Sequence, residues 1–303
     1  MKRTQVTGDI GGVGVGRLPR SRVGPAGDRK LRVRSRAASL QGSAEAVVIP
    51  AFNESATLRD VVTGVLRHVA RVIVIDDGSI DGTASTIADL PVIVLRNTRN
   101  LGKAASIVAG AREAVRRGAT AIVTIDGDGQ HDPADLPLLL DAHRAASDSI
   151  IIGARLHARD AIPTVRYRAN RFANFWISWA AGYPIADTQS GYRVYPAALL
   201  AQPPAPYDPA ASFVFESEIL IAAARVGVNA VCVPVTVRYP DVARRSHFRP
   251  VVDVVRIAIM LTGRIVSRGF YPSGLVRSLR RPKADAPAIA AERRRLAGRY
   301  AGP

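Results

Sequence analysis

The sequence predicts an α/β domain built on a mainly parallel central sheet that helices flank. Five short β-branched runs recur between residues 46 and 153, and segments of helical period lie between them. Continuously apolar runs indicate strands covered on both faces, and their alternation with helices indicates parallel pairing through right-handed crossovers. A chain of 303 residues with 48% hydrophobic content also holds enough apolar material for a packed core.

Strands and helices alternate along the predicted domain. The five strands are expected at 46–50, 71–75, 91–95, 121–125 and 149–153. Helical spacing of apolar residues predicts helices at 55–68, 103–117 and 133–146, and later helices at about 165–181 and 249–267. Together these segments define one domain over residues 43–267.

The positive charge of the chain is concentrated at its ends. The net charge is +17, yet residues 1–42 hold ten Lys and Arg against two acids, and residues 268–303 hold nine against two. We expect a disordered basic arm at 1–42, which has no helical or strand periodicity, and a basic tail at 268–303. A nucleic-acid-binding domain would carry its charge on one folded face, so nucleic acid is not an expected partner.

Cysteine content and hydropathy bear on the compartment. The single cysteine, Cys232, excludes an internal disulfide and favours a reducing environment. The N-terminal residues lack the apolar stretch of a secretory signal. Charged residues interrupt the apolar segment 250–266, which leaves fewer than the roughly 20 apolar residues that a membrane span needs. We therefore expect a cytoplasmic protein without a transmembrane span.

Acidic and amide side chains follow the fourth predicted strand, at the sheet edge where ligands bind in such folds. Asp126 and Asp128 lie one residue apart, and a turn through Gly127, which Gly129 also permits, would bring their carboxylates together. With the amide of Gln130 they form a set of hard oxygen ligands that suits Mg²⁺ or Mn²⁺. An ordinary Asp/Gly turn is the structural alternative.

A second acidic pair favours the cation over the simple turn. Asp76 and Asp77 end a neighbouring predicted strand of the same sheet. Carboxylates clustered at one sheet edge repel each other, and a bound cation relieves that repulsion. The sequence therefore predicts a divalent-cation site at this edge, with Asp126, Asp128 and Gln130 as its ligands.

Six motifs, in their order along the chain, resemble those of family 2 glycosyltransferases. They are Val-Ile-Pro-Ala-Phe-Asn-Glu (48–54), Val-Ile-Asp-Asp-Gly-Ser-Ile-Asp-Gly-Thr (74–83), Asn-Leu-Gly-Lys (100–103), Asp-Gly-Asp-Gly-Gln-His-Asp-Pro (126–133), Asp-Thr-Gln-Ser-Gly-Tyr-Arg (187–193) and Phe-Glu-Ser-Glu (215–218). They span about residues 46–265, and the resemblance is closest to the polyprenyl-phosphate group, which is dolichyl-phosphate mannose synthase-like.

This resemblance implies a nucleotide-sugar-binding glycosyltransferase domain of the A type. It also implies a metal-dependent, inverting transfer of a hexose, with Mg²⁺ or Mn²⁺ as the cofactor. The implied donor is a GDP- or UDP-sugar, and the implied acceptor is a polyprenyl phosphate at the membrane surface.

Roles for individual residues on the donor side follow from the same resemblance. The nucleobase and ribose would be contacted by Pro50, Phe52, Glu54 and Asp77, and the same nucleotide-sugar site would include Asn53, Asp76 and Gly127. The metal and the diphosphate would be held by Asp126, Asp128 and Gln130, with Asp128 also in a catalytic role. A loop that closes over the diphosphate would contain Ser246 and Arg249.

Phe52 and Lys103 lie in two of these motifs, near the predicted donor site. Phe52 stands where tyrosine is common in the family, which removes a hydroxyl group but keeps a stacking surface. Lys103 lies at the start of a predicted helix, where a solvent-facing lysine is an equal alternative, so it is left outside the predicted site.

For the acceptor side, the same resemblance implies two arginines and one acid. Arg155 and Arg168 would grip the acceptor phosphate, because guanidinium groups match phosphate oxygens bidentately. Asp187 resembles the acceptor-side acid of the family and would either orient a cation or serve as a base. A phosphate monoester, whose second pKa is about 6, is largely ionised at neutral pH and needs cations more than a base.

Two other functions remain open at this point. One is a glycosyltransferase that acts on a saccharide hydroxyl in polysaccharide or glycolipid synthesis, which would require a general base, with Asp187 as the candidate. The other is a non-catalytic nucleotide-binding module whose basic tails bind anions.

Two segments suggest contact with an anionic membrane surface. After Arg168, the helix predicted at 165–181 carries Phe172, Phe175, Trp176 and Trp179 close to arginines, which suits a lipid headgroup boundary but also a buried core helix. The helix predicted at 249–267 gathers its charged residues on one face, as in an amphipathic helix lying on a membrane or one packed on the core with a wet face. We expect a peripheral position on the cytoplasmic membrane, with the basic tail as an electrostatic anchor.

Overall fold

The computed structural model describes residues 44–155, 164–203, 212–236 and 250–280, and it describes only the backbone at 165, 166, 212, 213 and 250–256. The expected basic arm at 1–42 and most of the expected C-terminal tail lie outside these residues. Ser246 and Arg249 also lie outside them.

Seven strands and eight α-helices follow one another in the described residues. The strands are β1 (Glu45–Ala51), β2 (Val72–Asp76), β3 (Ile93–Arg96), β4 (Ala121–Thr124), β5 (Ile150–Ala154), β6 (Arg193–Pro196) and β7 (Ala230–Pro234). The helices are α1 (Leu58–Leu66), α2 (Lys103–Arg116), α3 (Leu136–Ala145), α4 (Thr164–Ala181), α5 (Ala197–Ala201), α6 (Ser212–Arg225), α7 (Pro250–Val266) and α8 (Pro272–Ser278). Short 3-10 helices span Thr83–Ile87 and Pro133–Asp135.

The strands form one sheet in the order β3-β2-β1-β4-β6-β5-β7. β1 pairs in parallel with β2 and β4, β2 with β3, and β5 with β7, whereas β6 runs antiparallel to β4 and β5. The prediction of a mainly parallel sheet is confirmed, and all five predicted strands are present. β6 and β7 are additions that the apolar runs do not predict.

Apolar side chains cover both faces of the sheet. Alternate residues of β1 point to opposite faces, so Val47 packs with α1 and α3 while Val48 packs with α2, α4 and α6. Each fully buried valine or isoleucine of this kind contributes about 1.5 to 3 kcal/mol relative to exposure. α2 ends two residues before Gly118, whose φ of 81° is the left-handed conformation that glycine adopts without strain.

The two helices expected at a membrane boundary are apolar on more than one side. In α4, Ile177 is buried and the two tryptophans pack partly on the core, whereas Phe172 is 65% exposed. In α7, Leu261 is buried while Ile259 is 68% exposed. α8 lies in the segment expected to be a basic tail and packs against α4. In the described part of the chain, every helix is too short or too polar to cross a bilayer.

Candidate active site

Two loops at the carboxyl edge of the sheet are joined by Asn53, which follows β1. Its backbone N–H donates to Ser79 Oγ at 2.9 Å, and its Oδ1 accepts from the Ile80 N–H at 3.0 Å. Its φ of 56° is in the left-handed region, which asparagine tolerates better than most residues. Beside this connection lie three half-buried residues of the predicted nucleotide site, namely Pro50, Phe52 and Glu54.

The acidic pair that ends β2 is buried and bonded within the protein. Asp76 Oδ1 accepts from the Ser79 N–H at 2.9 Å, and Asp76 Oδ2 lies 3.2 Å from Arg96 Nε. Asp77 accepts at 2.7 to 2.9 Å from three donors, which are Asn97 Nδ2, Leu101 N–H and Gly102 N–H. In this structure the pair therefore orders the two loops on either side of β3.

The turn after β4 presents the predicted cation ligands. Asp126, Asp128 and Gln130 are all half-buried, and Asp128 Oδ1 accepts from the Gln130 N–H at 3.0 Å. The left-handed conformation falls at Gly129, with φ of 74°, rather than at Gly127. Thr57 Oγ1 donates to the Gly127 carbonyl at 2.7 Å, which fixes this turn against the start of α1.

An ammonium group that the sequence prediction leaves outside the site lies at its centre. Lys103 Nζ is 2.7 Å from Asp126 Oδ1 and 2.9 Å from Glu216 Oε1. Burial disfavours the charged lysine, but the two carboxylates outweigh that cost and raise the pKa of Lys103 above its ordinary value. Burial likewise disfavours the charged form of Asp126, and Lys103 outweighs it and lowers the pKa of that carboxyl group.

Gly191 makes room for this pair. A Cβ atom at that position would lie 2.7 Å from Asp126 Oδ2 and 3.0 Å from Lys103 Nζ, so a larger residue would push the ion pair apart. Gly191 and Glu216 belong to the motifs at 187–193 and 215–218, which is the sequence signal that could have placed them beside the acidic turn.

The residues of the β4 turn fit a divalent cation that is shared with a ligand. Among the residues that the structure describes, no three His, Cys, Asp or Glu side chains come together as a metal-binding group. Two carboxylates and an amide are nevertheless the oxygen donors that Mg²⁺ takes when substrate phosphates and water complete its coordination. The donor set thus suits a cation bound together with a diphosphate.

His131 follows the acidic turn without adding charge to it. Its ring is 3% exposed, and its centroid lies 5.3 Å from that of Tyr192. Burial lowers the pKa of His131 to about 4, although the carboxylate of Asp126 acts in the opposite direction. The imidazole is therefore uncharged at neutral pH and packs against the ring of Tyr192.

Arg155 and Asp187 form a buried pair beyond the carboxyl end of β5. Arg155 Nε lies 3.0 Å from Asp187 Oδ2, Arg155 Nη2 lies 3.2 Å from Asp187 Oδ1, and the Arg155 N–H donates to Oδ2 at 3.0 Å. Asp187 is 0% exposed. Burial raises the pKa of Asp187, but the guanidinium and its hydrogen bonds more than offset burial and hold that pKa below its usual range. The acid is thus in place to orient a cation, which is one of its two predicted roles.

A second buried arginine ties the loop of Asp187 to α6. Arg193 is fully buried, and it donates to the Thr188 and Glu216 carbonyls at 2.8 Å and to the Ser190 carbonyl at 2.7 Å. A buried guanidinium is tolerated when acceptors surround it in this way. Arg193 therefore connects the loop that carries Asp187 to the helix that carries Glu216.

The remaining predicted phosphate contacts are placed only in part. Arg168 is exposed on α4, which begins nine residues after Arg155. Its role as a phosphate contact stays a prediction. Ser246 and Arg249 lie outside the described residues, so the closing loop also stays a prediction.

Comparison with known proteins places this chain in a family. The family model described as "Glycosyl transferase family 2" matches residues 46–200. The chain is 31% identical over 202 residues to a polyprenol monophosphomannose synthase of Mycolicibacterium smegmatis, which covers 63% of this chain and 76% of that protein. It is 33% identical over 210 residues to an undecaprenyl-phosphate mannosyltransferase of Micrococcus luteus, which covers 62% of this chain and 81% of that protein.

A solved structure shares the fold. Glucosyl-3-phosphoglycerate synthase from Mycobacterium tuberculosis, in complex with Mn²⁺, UDP and glucosyl-3-phosphoglycerate, aligns with a TM-score of 0.51 at 20% identity. The alignment covers 76% of this chain and 81% of that one, and it confirms the predicted A-type fold. From its family match and its fold, this chain belongs to glycosyl transferase family 2 and is a glycosyltransferase.

Proposed function

We propose that this glycosyltransferase moves a hexose from a nucleotide-diphosphate sugar to the phosphate of a polyprenyl phosphate, with inversion at the sugar carbon. The observation that carries the acceptor assignment is the buried pair of Arg155 and Asp187. Both Asp187 oxygens accept hydrogen bonds from Arg155, and the pKa of Asp187 is lowered. A carboxylate of this kind is a weak proton acceptor, whereas the arginine beside it suits an anionic acceptor.

The donor would lie at the carboxyl edges of β1, β2 and β4. Phe52 offers a ring for stacking. The hydrogen bonds of the next residue, Asn53, to Ser79 and Ile80 fix the backbone that carries this ring. Asp126, Asp128 and Gln130 would hold the cation that bridges to the diphosphate. A bound divalent cation neutralises the charge that develops on the departing diphosphate without a proton transfer. The Mn²⁺ and UDP in the M. tuberculosis synthase support this part of the proposal.

The reaction needs no base on the protein. An oxygen of the ionised acceptor phosphate would form the bond to the sugar carbon as the bond from that carbon to the diphosphate oxygen breaks. The nucleoside diphosphate leaves with the electron pair of that bond, so charge balances without a proton acceptor. Arg155, held by Asp187 through its Nε and Nη2 groups, would orient the attacking phosphate.

The names of the two relatives support a lipid-linked acceptor. The M. smegmatis and M. luteus proteins are named for polyprenol and undecaprenyl-phosphate mannosyl transfer. The exposed rings of Phe172 and Phe175, on the helix that also carries Arg168, would suit the lipid surface that presents such an acceptor. A peripheral position on the cytoplasmic membrane is part of the proposal.

A transfer assay tests the proposal directly. The full chain would be incubated with labelled GDP- and UDP-sugars, Mg²⁺ or Mn²⁺, and either a short polyprenyl phosphate or a panel of free saccharides. We expect a lipid-extractable product that requires the cation and that EDTA abolishes. Efficient transfer to a saccharide with no lipid product would reject the proposal in favour of a hydroxyl acceptor. Nucleotide binding without transfer to any acceptor would instead favour a non-catalytic module.

A further inference from the structure

A concave surface lies at the edge of the sheet opposite to the candidate active site. It encloses about 340 Å³ and is lined by Ala181, Ala224, Arg225, Ser267, Arg268 and Tyr271. These residues come from the ends of α4, α6 and α7 and the residue before α8, and α6 ends just before β7 begins. The groove is therefore at the amino end of β7, whereas the site residues follow the carboxyl ends of β1, β2, β4 and β5.

The groove carries more positive charge than the nearby carboxylate of Glu218 balances. Arg225 and Arg268 line it, and Arg264 lies close by in an ion pair with Glu218. Within the part of the chain that the structure describes, no carboxylate pairs with Arg225 or Arg268. Partial burial lowers the pKa of Arg225, the positive charges of Arg264 and Arg268 lower it further, and the carboxylate of Glu218 acts in the opposite direction. Guanidinium groups held together in this way favour an anion between them.

Arg268 is held in a fixed orientation at the rim. Its guanidinium carbon lies 3.4 Å from the centre of the Tyr271 ring, a stacking contact. The Tyr271 carbonyl accepts from Trp179 Nε1 at 3.1 Å, and the ring lies where Gly182 and Gly274 have no side chains. A stacked, planar guanidinium presents its N–H groups as a fork, which is the geometry that suits phosphate oxygens.

Exposed apolar side chains adjoin the lining residues in sequence. Val226, Val266 and Phe270 are neighbours in sequence of lining residues and are 60%, 49% and 67% exposed. On α8, Val276 and Leu279 are also exposed. An isolated inorganic ion would gain nothing from these groups, whereas a phosphate carried on a lipid would place its charge in the groove and its hydrocarbon against the rim.

We propose that this groove is a binding site for a phosphate group, and that its natural ligand is the headgroup of an anionic membrane phospholipid held by Arg225 and Arg268. The site is separate from the glycosyl-transfer chemistry. Its occupation would dock the C-terminal ends of α4, α6 and α7 on the lipid surface. Neither a sugar donor nor a cation is needed for it.

The test measures binding of the full chain to vesicles of phosphatidylcholine, with and without phosphatidylglycerol. The variants are Arg225→Gln, Arg268→Gln and Arg268→Lys, with Arg280→Gln as the matched control, because Arg280 is exposed just after α8 and does not line the groove. We expect the two glutamine variants to lower partitioning onto the anionic vesicles by roughly tenfold or more, as loss of a charge-assisted contact does. Loss of one surface charge should cost the control about fivefold or less. Arg268→Lys should recover only part of the loss.

A second measurement identifies the source of the phosphate. Thermal unfolding with inorganic phosphate, against chloride at equal ionic strength, should show little stabilisation, and the thermal shift from a UDP-sugar should be the same in all variants. Equal losses in Arg225→Gln, Arg268→Gln and Arg280→Gln would overturn the site and leave only diffuse charge. Equal binding to neutral and anionic vesicles would overturn it as well, with the arginines then serving only as counter-charges to helix ends. Strong stabilisation by free phosphate without vesicle binding would overturn the lipid assignment.

Discussion

Lys103 Nζ lies 2.7 Å from Asp126 Oδ1, so an ammonium group occupies one side of the carboxylate that is proposed to bind a divalent cation. The same ammonium group is 2.9 Å from Glu216 on α6. A cation that binds Asp126 must therefore compete with Lys103 for that carboxylate, and Glu216 remains to balance the lysine when the cation is present.

Lys103→Met should separate stability from cation affinity. Without a cation, the variant leaves the carboxylates of Asp126 and Glu216 without the lysine. This should lower the free energy of unfolding by about 2 to 3 kcal/mol, a smaller loss than breaking a fully buried ion pair causes. With its competitor gone, Mn²⁺ should bind about tenfold more tightly and recover much of that loss. Thermal unfolding in EDTA and in Mn²⁺ measures both effects. Lys103→Arg, which keeps the charge, is the control, and an Mn²⁺ shift equal to that of the wild type would contradict the competition.

Asp128→Ala should abolish nearly all sugar transfer while the protein stays folded. Asp128 is half-buried on the β4 turn, so its loss removes a cation ligand without opening the core. Asp141→Ala is the matched control, because Asp141 is an exposed acid that pairs with Arg144 on the same helix. Transfer and Mn²⁺ binding are both measured. Full activity of the Asp128 variant, or of the wild type in EDTA, would refute the cation site.

Arg155 and Arg168 should affect use of the acceptor more than binding of the donor. Arg168→Ala should lower kcat/KM for the polyprenyl phosphate roughly ten- to a hundredfold, as expected for loss of a charge-assisted contact worth about 1.5 to 3 kcal/mol. Arg155→Lys keeps a charge beside buried Asp187 but loses the guanidinium fork, so it should show a similar partial loss. Arg144→Ala is the surface control. Unchanged acceptor kinetics in both the Arg155 and the Arg168 variant would contradict the proposed contacts with the acceptor phosphate.

Asp187→Asn should behave as a change in a positioning residue. Because Arg155 holds the pKa of Asp187 below its usual range, the carboxyl group is ionised throughout the neutral range and should contribute no limb to the pH profile there. The variant should raise KM for the acceptor and leave KM for the donor and the shape of the pH profile unchanged. A collapse of kcat together with loss of an ionisation from the profile would instead identify Asp187 as a base.

The parallel part of the sheet could be predicted because its strands are uninterrupted apolar runs. β6 escapes prediction because Arg193 begins it and reads as a surface residue, whereas four acceptor contacts allow this arginine to be buried. The expected turn at 126–130 is present, but the left-handed conformation falls at Gly129, since spacing alone does not tell which of two glycines adopts it.

The carboxylates of the site could be predicted, and their partners could not. Lys103 at a helix start normally faces solvent, and only the packing of α6 against α2 brings Glu216 to it. The pairing of Arg155 with Asp187 depends in the same way on how the loop before β6 returns to β5. Contacts between segments far apart in sequence leave no local periodicity, which is why sequence patterns did not show them.

The most direct test of the central claim compares two acceptors that differ only in the phosphate. The full chain, with its preferred nucleotide-sugar and Mg²⁺ or Mn²⁺, would be given a short polyprenyl phosphate or the free polyprenol of the same length. We predict rapid transfer to the phosphate and none to the alcohol, because an alcohol needs a base that takes its proton and Arg155 makes the Asp187 carboxylate a weak proton acceptor. Comparable transfer to the free alcohol would contradict the phosphate-acceptor mechanism.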